Sequence, residues 1–266
     1  MYKLGFIGAG NMGSALAIAA GKTLGGENVL IYDRDIKKSL NLSDKYGFAI
    51  AKDEKEVADG CRFILLAVKP NIIRGVAESI KSQLEKGDHT VVTIAAGVPI
   101  SAIKLAINEA CPVIRIMPNT PVAVGKGTIL ITWKDEVKDE TAAEFMDIMK
   151  AAGSFEKMPE EQFDITTAIS SCSPAYAYMF IEAMADGAVY CGVPRDRAIR
   201  LAAQTVSGSC QMILESGENP EKLKDNVCSP AGSTIAGVEA LEKNGFRYAS
   251  SQAIIKATEK NLSLGK

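Results

Sequence analysis

The sequence has little of the chemistry on which nucleophilic enzymes depend. Its 266 residues include one histidine, His89, and one tryptophan. His89 follows a Gly-Asp pair just before an apolar run, so we expect a solvated loop histidine at the end of a strand opposite any cofactor. No Ser/His/Asp set and no close Cys/His pair is present in the sequence. This scarcity argues against nucleophilic catalysis and against a histidine as general acid.

Paired cysteines, an excess of basic residues and long apolar segments are also missing. The six cysteines are scattered without a C-x-x-C pair, and no signal-peptide pattern opens the chain, which predicts reduced thiols in a cytoplasm and no metal site. The sequence has 30 Lys and Arg residues and 32 Asp and Glu residues, so it has no excess of positive charge and nucleic acid is not an expected partner. No apolar run approaches the ~18 residues of a membrane span, so we expect no membrane partner.

A strand–turn–helix pattern stands at the start of the chain. The apolar residues 4–7 predict a buried strand, and residues 14–20 are helix formers. Between them Gly8, Gly10 and Gly13 have the G-x-G-x-x-G spacing of a dinucleotide fingerprint. Gly8 permits the tight turn, Gly10 allows close approach of a pyrophosphate, and Gly13 lets helix and strand pack. The first amides of the helix would bind the phosphates.

A second apolar run, residues 29–32, ends at Asp33, twenty residues after Gly13. This is the position of the residue that reads the ribose. A carboxylate here accepts from a ribose 2′-OH and repels a 2′-phosphate, whereas the adjacent Arg34 would accommodate that phosphate. NAD and NADP therefore both remain open.

Strand and helix patterns alternate through the first part of the chain. Further strands are predicted at residues 63–68, 90–95, 113–117, 127–133 and 155–158. Helices are predicted at 37–46, 71–84, 101–110 with Ser101 as its N-cap, and 140–152. This alternation predicts an α/β fold, an N-terminal Rossmann-type doubly wound parallel sheet over residues 1–159.

Helical patterns alone follow, so residues 160–266 are predicted to form a C-terminal all-α helical domain. Its helices are predicted at 163–170, 175–190, 195–216, 220–226, 234–243 and 248–261. Residues 176–181 are apolar around the whole helix, which requires burial. In a domain this small we expect that burial to come from a second subunit.

The carboxyl ends of the predicted strands should form the ligand edge of the sheet. They are small, backbone-rich segments with almost no acid–base groups, which suits a surface laid along a flat cofactor. These ends are the glycine turn, Asp33-Arg34, Ala67-Val68-Lys69-Pro70, Ala95-Ala96-Gly97 and Met117-Pro118-Asn119-Thr120.

A second small-residue loop, residues 223–234, leads into a predicted helix. Ser229, Ser233 and Thr234 supply hydroxyls, and the amides after Gly232 would bind a carboxylate without a basic side chain. On spacing alone, an ordinary capped helix start is the favoured interpretation. Hydride transfer to a protonated imine needs no strong proton donor, so a dinucleotide site without a histidine acid fits an imine substrate.

The motifs together resemble the pyrroline-5-carboxylate reductase family over essentially the whole chain. The matching segments are residues 5–12, 67–70, 95–98, 117–121, 173–176, 185–187 and 223–234 with Gly237. The resemblance implies reduction of the cyclic imino acid L-1-pyrroline-5-carboxylate to L-proline, the last step of proline biosynthesis, with NADP(H) or NAD(H). It also implies a homodimer through the helical domain, with dimers assembling into a larger ring.

The resemblance also assigns the site residues. The cofactor residues are Ile7, Gly8, Ala9, Gly10, Asn11 and Met12 at the pyrophosphate, Asp33 and Arg34 at the ribose, Ala67, Val68, Lys69 and Pro70 along the cofactor, Ala95, Ala96 and Gly97 near the nicotinamide, with Asn119 and Asn226. The substrate residues are Pro174, Glu160, Ser229, Ala231, Gly232, Ser233 and Thr234, and the Thr234 hydroxyl is the catalytic group near the ring nitrogen.

Two other functions fit the sequence less well than this one. A hydroxyacid dehydrogenase would need a lysine on the helix at 163–170, which has none. A non-catalytic dinucleotide sensor would have a degraded loop at 225–234, whereas this loop is intact. The sequence departs from the family at Ser171-Cys172-Ser173, where Gly-Ser-Gly is usual, and at Glu54, where asparagine is frequent.

Overall fold

The first part of the protein is built on one eight-stranded sheet. The computed structural model describes residues 1–85 and 87–264. The strand order is β3-β2-β1-β4-β5-β6-β7-β8. The strands are β1 Tyr2–Ile7, β2 Val29–Tyr32, β3 Ala49–Ile50, β4 Cys61–Leu66, β5 Thr90–Thr93, β6 Val113–Met117, β7 Gly127–Trp133 and β8 Gly153–Lys157.

The sheet is buried on both faces, which explains its continuous apolar strands. In β4, Phe63 and Leu65 belong to one buried cluster, whereas Ile64 and Leu66 belong to another. Successive side chains of a strand point to opposite faces. Helices cover each face, so the predicted doubly wound architecture is confirmed.

The helices follow the predicted positions with local differences. They are α1 Asn11–Leu24, α2 Ile36–Tyr46, α3 Glu54–Gly60, α4 Pro70–Ser79, α5 Lys81–Leu84, α6 Ile100–Ala106, α7 Asp139–Ile148, α8 Phe163–Thr167, α9 Ser173–Tyr190, α10 Arg195–Ser216, α11 Pro220–Asn226, α12 Ser233–Lys243 and α13 Phe246–Leu264. The single helix predicted at 71–84 is divided at Ile80, whose φ is −100° and ψ is 0°. Among the described residues, none of these helices combines the length and apolarity needed to cross a membrane.

One edge of the sheet reverses direction, which an all-parallel prediction missed. β7 runs antiparallel to β6, with Ile116 opposite Ile131, and β8 runs parallel to β7. Residues 118–126 connect β6 to β7 and contain a 3₁₀ turn, Thr120–Val124. A parallel return needs a crossover of about a dozen residues or more, so this short connection imposes the antiparallel pairing.

Two further local predictions were wrong. His89 is buried, 5% exposed, and its Nδ1 lies 2.9 Å from the carbonyl oxygen of Cys61. A backbone partner makes burial of this ring favourable. Burial also raises the pKa of the neighbouring Cys61 thiol to about 12. Helix α6 is capped by Pro99 and begins at Ile100, so Ser101 is not its N-cap.

The chain divides into two compact units. The first contains Met1–Cys172 and the end of α13 from Thr258, and the second is Ser173–Ala257. This division lies after the predicted boundary at 159/160. Phe163 is fully buried with Met117 and Leu130, so the segment after β8 packs on the first unit.

The second unit exposes large apolar side chains along its helices. Ala185, Ala198 and Ala202 are its buried hydrophobic residues in the described part of the chain. Strongly exposed residues include Tyr178, Met179, Tyr190, Leu201, Leu214 and Tyr248, with Tyr190 94% exposed. The apolar pattern of these helices is therefore not accounted for by burial within one chain.

Candidate functional site

The glycine turn between β1 and α1 has the geometry that the fingerprint predicts. The amide of Gly8 donates to the carbonyl oxygen of Tyr32 at 2.7 Å, which joins the turn to β2. Gly8 has φ +110°, and a Cβ there would lie 2.5 Å from the carbonyl oxygen of Ala67. A side chain is excluded at this position by backbone conformation and by space.

Gly13 and Gly10 have different roles in this turn, one in packing and the other in leaving space open. A Cβ on Gly13 would lie 2.3 Å from the Gly8 oxygen and 2.9 Å from Cβ of Ala67, so Gly13 allows α1 to pack against the turn. A Cβ on Gly10 would have no atom within 4 Å. Gly10 caps α1 without a side-chain hydrogen bond, which leaves the first amides of the helix for an anion.

The Asp33 carboxylate is bonded to the glycine turn itself. Its Oδ2 accepts from the Ala9 amide at 2.7 Å, and its Oδ1 accepts from the Asp35 amide at 2.9 Å. Lys38 Nζ lies 3.5 Å from Oδ1. The side chain is 13% exposed. Asp33 therefore fixes the glycine turn, while Arg34 is exposed beside it, and contact of either residue with a ribose stays a prediction.

Glu54, where the sequence departs from the family, lies beside the end of β2. Burial, followed by the charge and hydrogen bonding of Glu54, raises the pKa of the Tyr32 hydroxyl. Ser79 Oγ also donates to Glu54 Oε1 at 3.3 Å. The carboxylate thus has partners from β2 and α4.

The predicted cofactor loops after β4 and β5 lie at the carboxyl ends of neighbouring strands. The Ala67 amide donates to the Ile7 oxygen at 2.8 Å, which extends the β1–β4 pairing into the loop. Lys69 caps α4, and Pro70 begins it. After β5, Gly97 has φ +71°, a left-handed conformation that favours glycine. These loops present backbone and small side chains, as predicted.

Asn119 follows β6 and is 7% exposed. Its Nδ2 donates to the carbonyl oxygen of Ser170 at 2.8 Å, and its Oδ1 accepts from the Thr128 amide at 2.9 Å. The side chain therefore holds the loop to β7 and to the segment after α8. Its contact with a cofactor stays a prediction.

Of the three residues that depart from the family, Ser171 and Cys172 end a π-helical turn, Ala168–Cys172, and Ser173 begins α9. The Ser171 hydroxyl lies 3.4 Å from the carbonyl oxygen of Pro118. Single π turns within helices are frequent at functional sites. Small hydroxyl and thiol side chains are thus accommodated where the family has glycines.

The sequence did not single out Arg115, the middle residue of β6. Its side chain is 4% exposed, with Nη1 3.2 Å from Glu160 Oε1 and Nη2 3.5 Å from Asp164 Oδ1. The guanidinium carbon lies 4.8 Å from the centroid of the Phe163 ring. A basic residue inside an otherwise apolar strand, Val113–Met117, was the available signal, because such a charge requires a partner.

The predicted substrate loop lies in the second unit, between α11 and α12. The Gly232 amide donates to the Ser229 oxygen at 3.0 Å, closing a turn. A Cβ on Gly232 would lie 2.3 Å from Ser229 Oγ. Gly232 caps α12 without a side-chain hydrogen bond. The amides of Ser233 and Thr234 therefore begin the helix, and both residues are exposed.

Ala231 carries the strain in this loop, with φ +58°. A left-handed conformation costs an L-residue with a Cβ about 1–2 kcal/mol relative to glycine. Such conformations cluster at ligand-binding sites. Composition and spacing did not indicate this strain.

No group of three or more His, Cys, Asp or Glu residues that could hold a metal ion occurs within residues 1–85 and 87–264. All six cysteines carry free thiols.

Comparison with known sequences identifies the family of the chain. The family model described as pyrroline-5-carboxylate reductase dimerisation matches residues 160–264, and that described as NADP oxidoreductase, coenzyme F420-dependent, matches residues 3–97. Pyrroline-5-carboxylate reductase of Escherichia coli is 43% identical over 99% of this chain and 98% of its own length. The Methanosarcina acetivorans enzyme of the same name is 39% identical, with 99% and 98% coverage.

Solved structures agree with the sequence relatives. A pyrroline carboxylate reductase of Plasmodium falciparum, crystallised with NADP bound, has a TM-score of 0.88 and 33% identity, covering 100% of this chain and 98% of its own. A pyrroline-5-carboxylate reductase of Coxiella burnetii has a TM-score of 0.92 and 28% identity, with 100% and 99% coverage. On this sequence and structural similarity, the chain belongs to the pyrroline-5-carboxylate reductase family.

Proposed function

We propose that this protein reduces L-1-pyrroline-5-carboxylate to L-proline with a hydride from NADPH or NADH, the final step of proline biosynthesis. The observation that carries the proposal is the exposed start of α12 after the strained Ala231 turn, in a chain that also has the dinucleotide turn. The start of α12 would bind a substrate carboxylate, and the dinucleotide turn would bind a pyrophosphate.

For the cofactor, we assign the pyrophosphate to the turn from Ile7 to Met12 and the ribose to Asp33 and Arg34. The fit rests on the open space at Gly10 and the amides at the start of α1. The loops after β4, β5 and β6 line the remainder, through the residues Ala67, Val68, Lys69, Pro70, Ala95, Ala96, Gly97 and Asn119. Asn226, the last residue of α11, is assigned as a further cofactor residue.

For the substrate, we assign the carboxylate to the backbone of Ala231, Gly232, Ser233 and Thr234. Backbone amides at a helix start bind a carboxylate without a basic side chain, because the helix dipole is positive there. Pro174 and Ser229 are assigned to the walls of the substrate site. The Thr234 hydroxyl is assigned to the ring nitrogen. Glu160, expected near the substrate, has the Ile100 amide and Arg115 as protein partners.

The proposed reaction needs little acid–base chemistry from the protein. When bound, the reduced nicotinamide supplies the hydride to the C=N carbon. The protonated ring nitrogen accepts the electron pair of the C=N bond and becomes the amine of proline. The chain therefore has to hold the imine carbon in position, and positioning alone contributes large rate factors.

The test is the initial rate of oxidation of NADPH and of NADH, measured in parallel with L-1-pyrroline-5-carboxylate. Turnover with either cofactor, forming proline, is the expected result. A folded protein that binds dinucleotide but reduces L-1-pyrroline-5-carboxylate with neither cofactor would move the assignment to another imine or keto substrate. Residues 171–173 would then be the first place to examine.

Asp33→Asn is expected to shift cofactor preference toward NADPH. The amide oxygen still accepts from Ala9, but the charge that repels a 2′-phosphate is removed. Two unit charges about 4 Å apart in water interact by about 1 kcal/mol, so the ratio of the two dissociation constants should change roughly five- to tenfold. Asp35→Asn, an exposed neighbour, is the matched control; an equal shift there would remove the specific role of Asp33.

The protein is a homo-oligomer, consistent with the dimerisation family that matches residues 160–264. We propose a homodimer through the helical domain, with assembly into a ring, because large apolar side chains such as Tyr190, Leu214 and Tyr248 are exposed along the helices of the second unit, and exposed apolar patches mark interaction sites. Light scattering should give at least twice the 28.3 kDa chain mass. A monomer at micromolar concentration would contradict this.

The free cysteines support a cytoplasmic location.

A further inference from the structure

A buried ion pair joins β6 to the segment that follows β8. Arg115 Nη1 donates to Glu160 Oε1 at 3.2 Å, and the two side chains are 4% and 14% exposed. Nη2 of Arg115 makes an ion pair with Asp164 at 3.5 Å but no hydrogen bond, and its Nε is also without a hydrogen-bond partner among the described residues. An arginine this buried remains charged, so its carboxylate partners are required.

The same oxygen of Glu160 holds the start of α6. Oε1 accepts from the Ile100 amide at 2.7 Å, the shorter of its two hydrogen bonds. The other oxygen, Oε2, lies 3.7 Å from Lys134 Nζ. Helix α6 is capped by Pro99 without a side-chain bond from the cap, so its first amide lacks a local acceptor. Glu160 therefore serves as the cap of α6 from sixty residues away.

This cap lies immediately after the loop assigned to the nicotinamide. Residues 94–99 leave the end of β5 and run through Gly97, at φ +71°, to Ile100. The loop is held at its start by β5, where the Ala95 amide donates to Thr93 Oγ1 at 3.3 Å. Its far end is held by Glu160.

We propose that Glu160, held in place by Arg115, is a positioning residue that fixes the nicotinamide-side loop through the Ile100 amide rather than a direct ligand of the imino acid. The inference rests on the proposed function, because it assigns the loop to the cofactor. A loop freed at Ile100 would misplace the hydride donor relative to the imine carbon, and a displacement of about 1 Å is enough to cost on the order of 100-fold in rate.

The first test compares Glu160→Ala with Glu160→Gln. The amide of Gln keeps an oxygen for Ile100, whereas Ala removes it. In the free protein, amide exchange of residues 94–106 should rise about tenfold or more in Glu160→Ala and much less in Glu160→Gln, which keeps the acceptor for Ile100 and leaves Asp164 as the carboxylate partner of Arg115. Glu161→Ala, an exposed neighbour, is the matched control and should change neither.

Kinetics separate positioning from substrate binding. Glu160→Ala should lower kcat about 10- to 100-fold, with KM for the imino acid and the dissociation constant of the dinucleotide within about threefold of wild type. A raised KM with unchanged exchange at 94–106 would overturn the proposal and make Glu160 a substrate ligand. The exchange readout needs no turnover, so it fails or succeeds independently of the proposed reaction.

A second set of variants covers the case in which Glu160→Ala does not fold. Arg115→Met leaves the Glu160 carboxylate buried without its arginine, so it should raise exchange at 94–106 and lower kcat. Combining Arg115→Met with Glu160→Gln restores an uncharged pair that still has an acceptor for Ile100. The double variant should recover protection and most of kcat relative to Arg115→Met. No recovery, with both proteins folded, would contradict the proposed role of the pair.

Discussion

Gly10→Val is expected to abolish dinucleotide binding in a protein that remains folded. Gly10 is exposed, its φ is −69° and its ψ is −176°, and a Cβ there meets no atom within 4 Å. Any L-residue adopts this conformation, so the loss should come from the space that a pyrophosphate needs. We expect the dissociation constants of NADPH and NADH to rise about 100-fold or more, measured by titration calorimetry.

Two controls make this result specific to the ligand. Gly75→Val places a side chain on another exposed glycine whose Cβ would meet open space, and it should bind both dinucleotides normally. Gly13→Ala should instead lower the thermal midpoint of the free protein, because its Cβ would lie 2.3 Å from the Gly8 oxygen. Unchanged binding in Gly10→Val would remove the turn from the cofactor site.

Thr234→Ala is expected to lower kcat/KM for the imino acid by roughly 10- to 100-fold, with dinucleotide affinity nearly unchanged. Thr234 is the second residue of α12, so alanine leaves the backbone amides at the helix start in place. Only the hydroxyl assigned to the ring nitrogen is lost. A hydrogen bond to a charged group contributes about 1.5–3 kcal/mol, which corresponds to this range.

The conservative variant tests the role of the hydroxyl. Thr234→Ser keeps the oxygen and removes a methyl group, so its kcat/KM should stay within about threefold of wild type. Loss of dinucleotide binding with normal turnover at saturation in Thr234→Ala would show that the residue belongs to the cofactor site. Equal losses in both variants would indicate packing rather than a hydrogen bond.

Much of the first part of the fold was predictable because local and tertiary preferences agree there. The apolar run of β4 is buried on both faces, as its sequence requires. Helix α2 begins after Asp35, whose carboxylate accepts from Lys37, and ends at Gly47 in the left-handed conformation. Both ends carry residues that cap helices.

The errors arose where a distant group supplied what a local one was expected to supply. Ser101 was expected to cap α6, but the first amide of the helix donates to Glu160, which follows the last strand of the sheet. His89 was expected in water, but the carbonyl oxygen of Cys61 gives it a buried partner. Hydrogen bonds between residues far apart in the chain leave no periodic signal in the sequence.

By itself, the sequence determined the doubly wound architecture, the glycine turn, Asp33 at the end of β2 and the small-residue loop before α12. Each depends on spacing within a short segment, which backbone geometry translates directly into structure. The tertiary structure alone decided the reversal at β7, the burial of His89, the strain at Ala231 and the link from Arg115 through Glu160 to Ile100. These depend on which distant groups satisfy a buried charge or amide, and packing decides that only when the chain has folded.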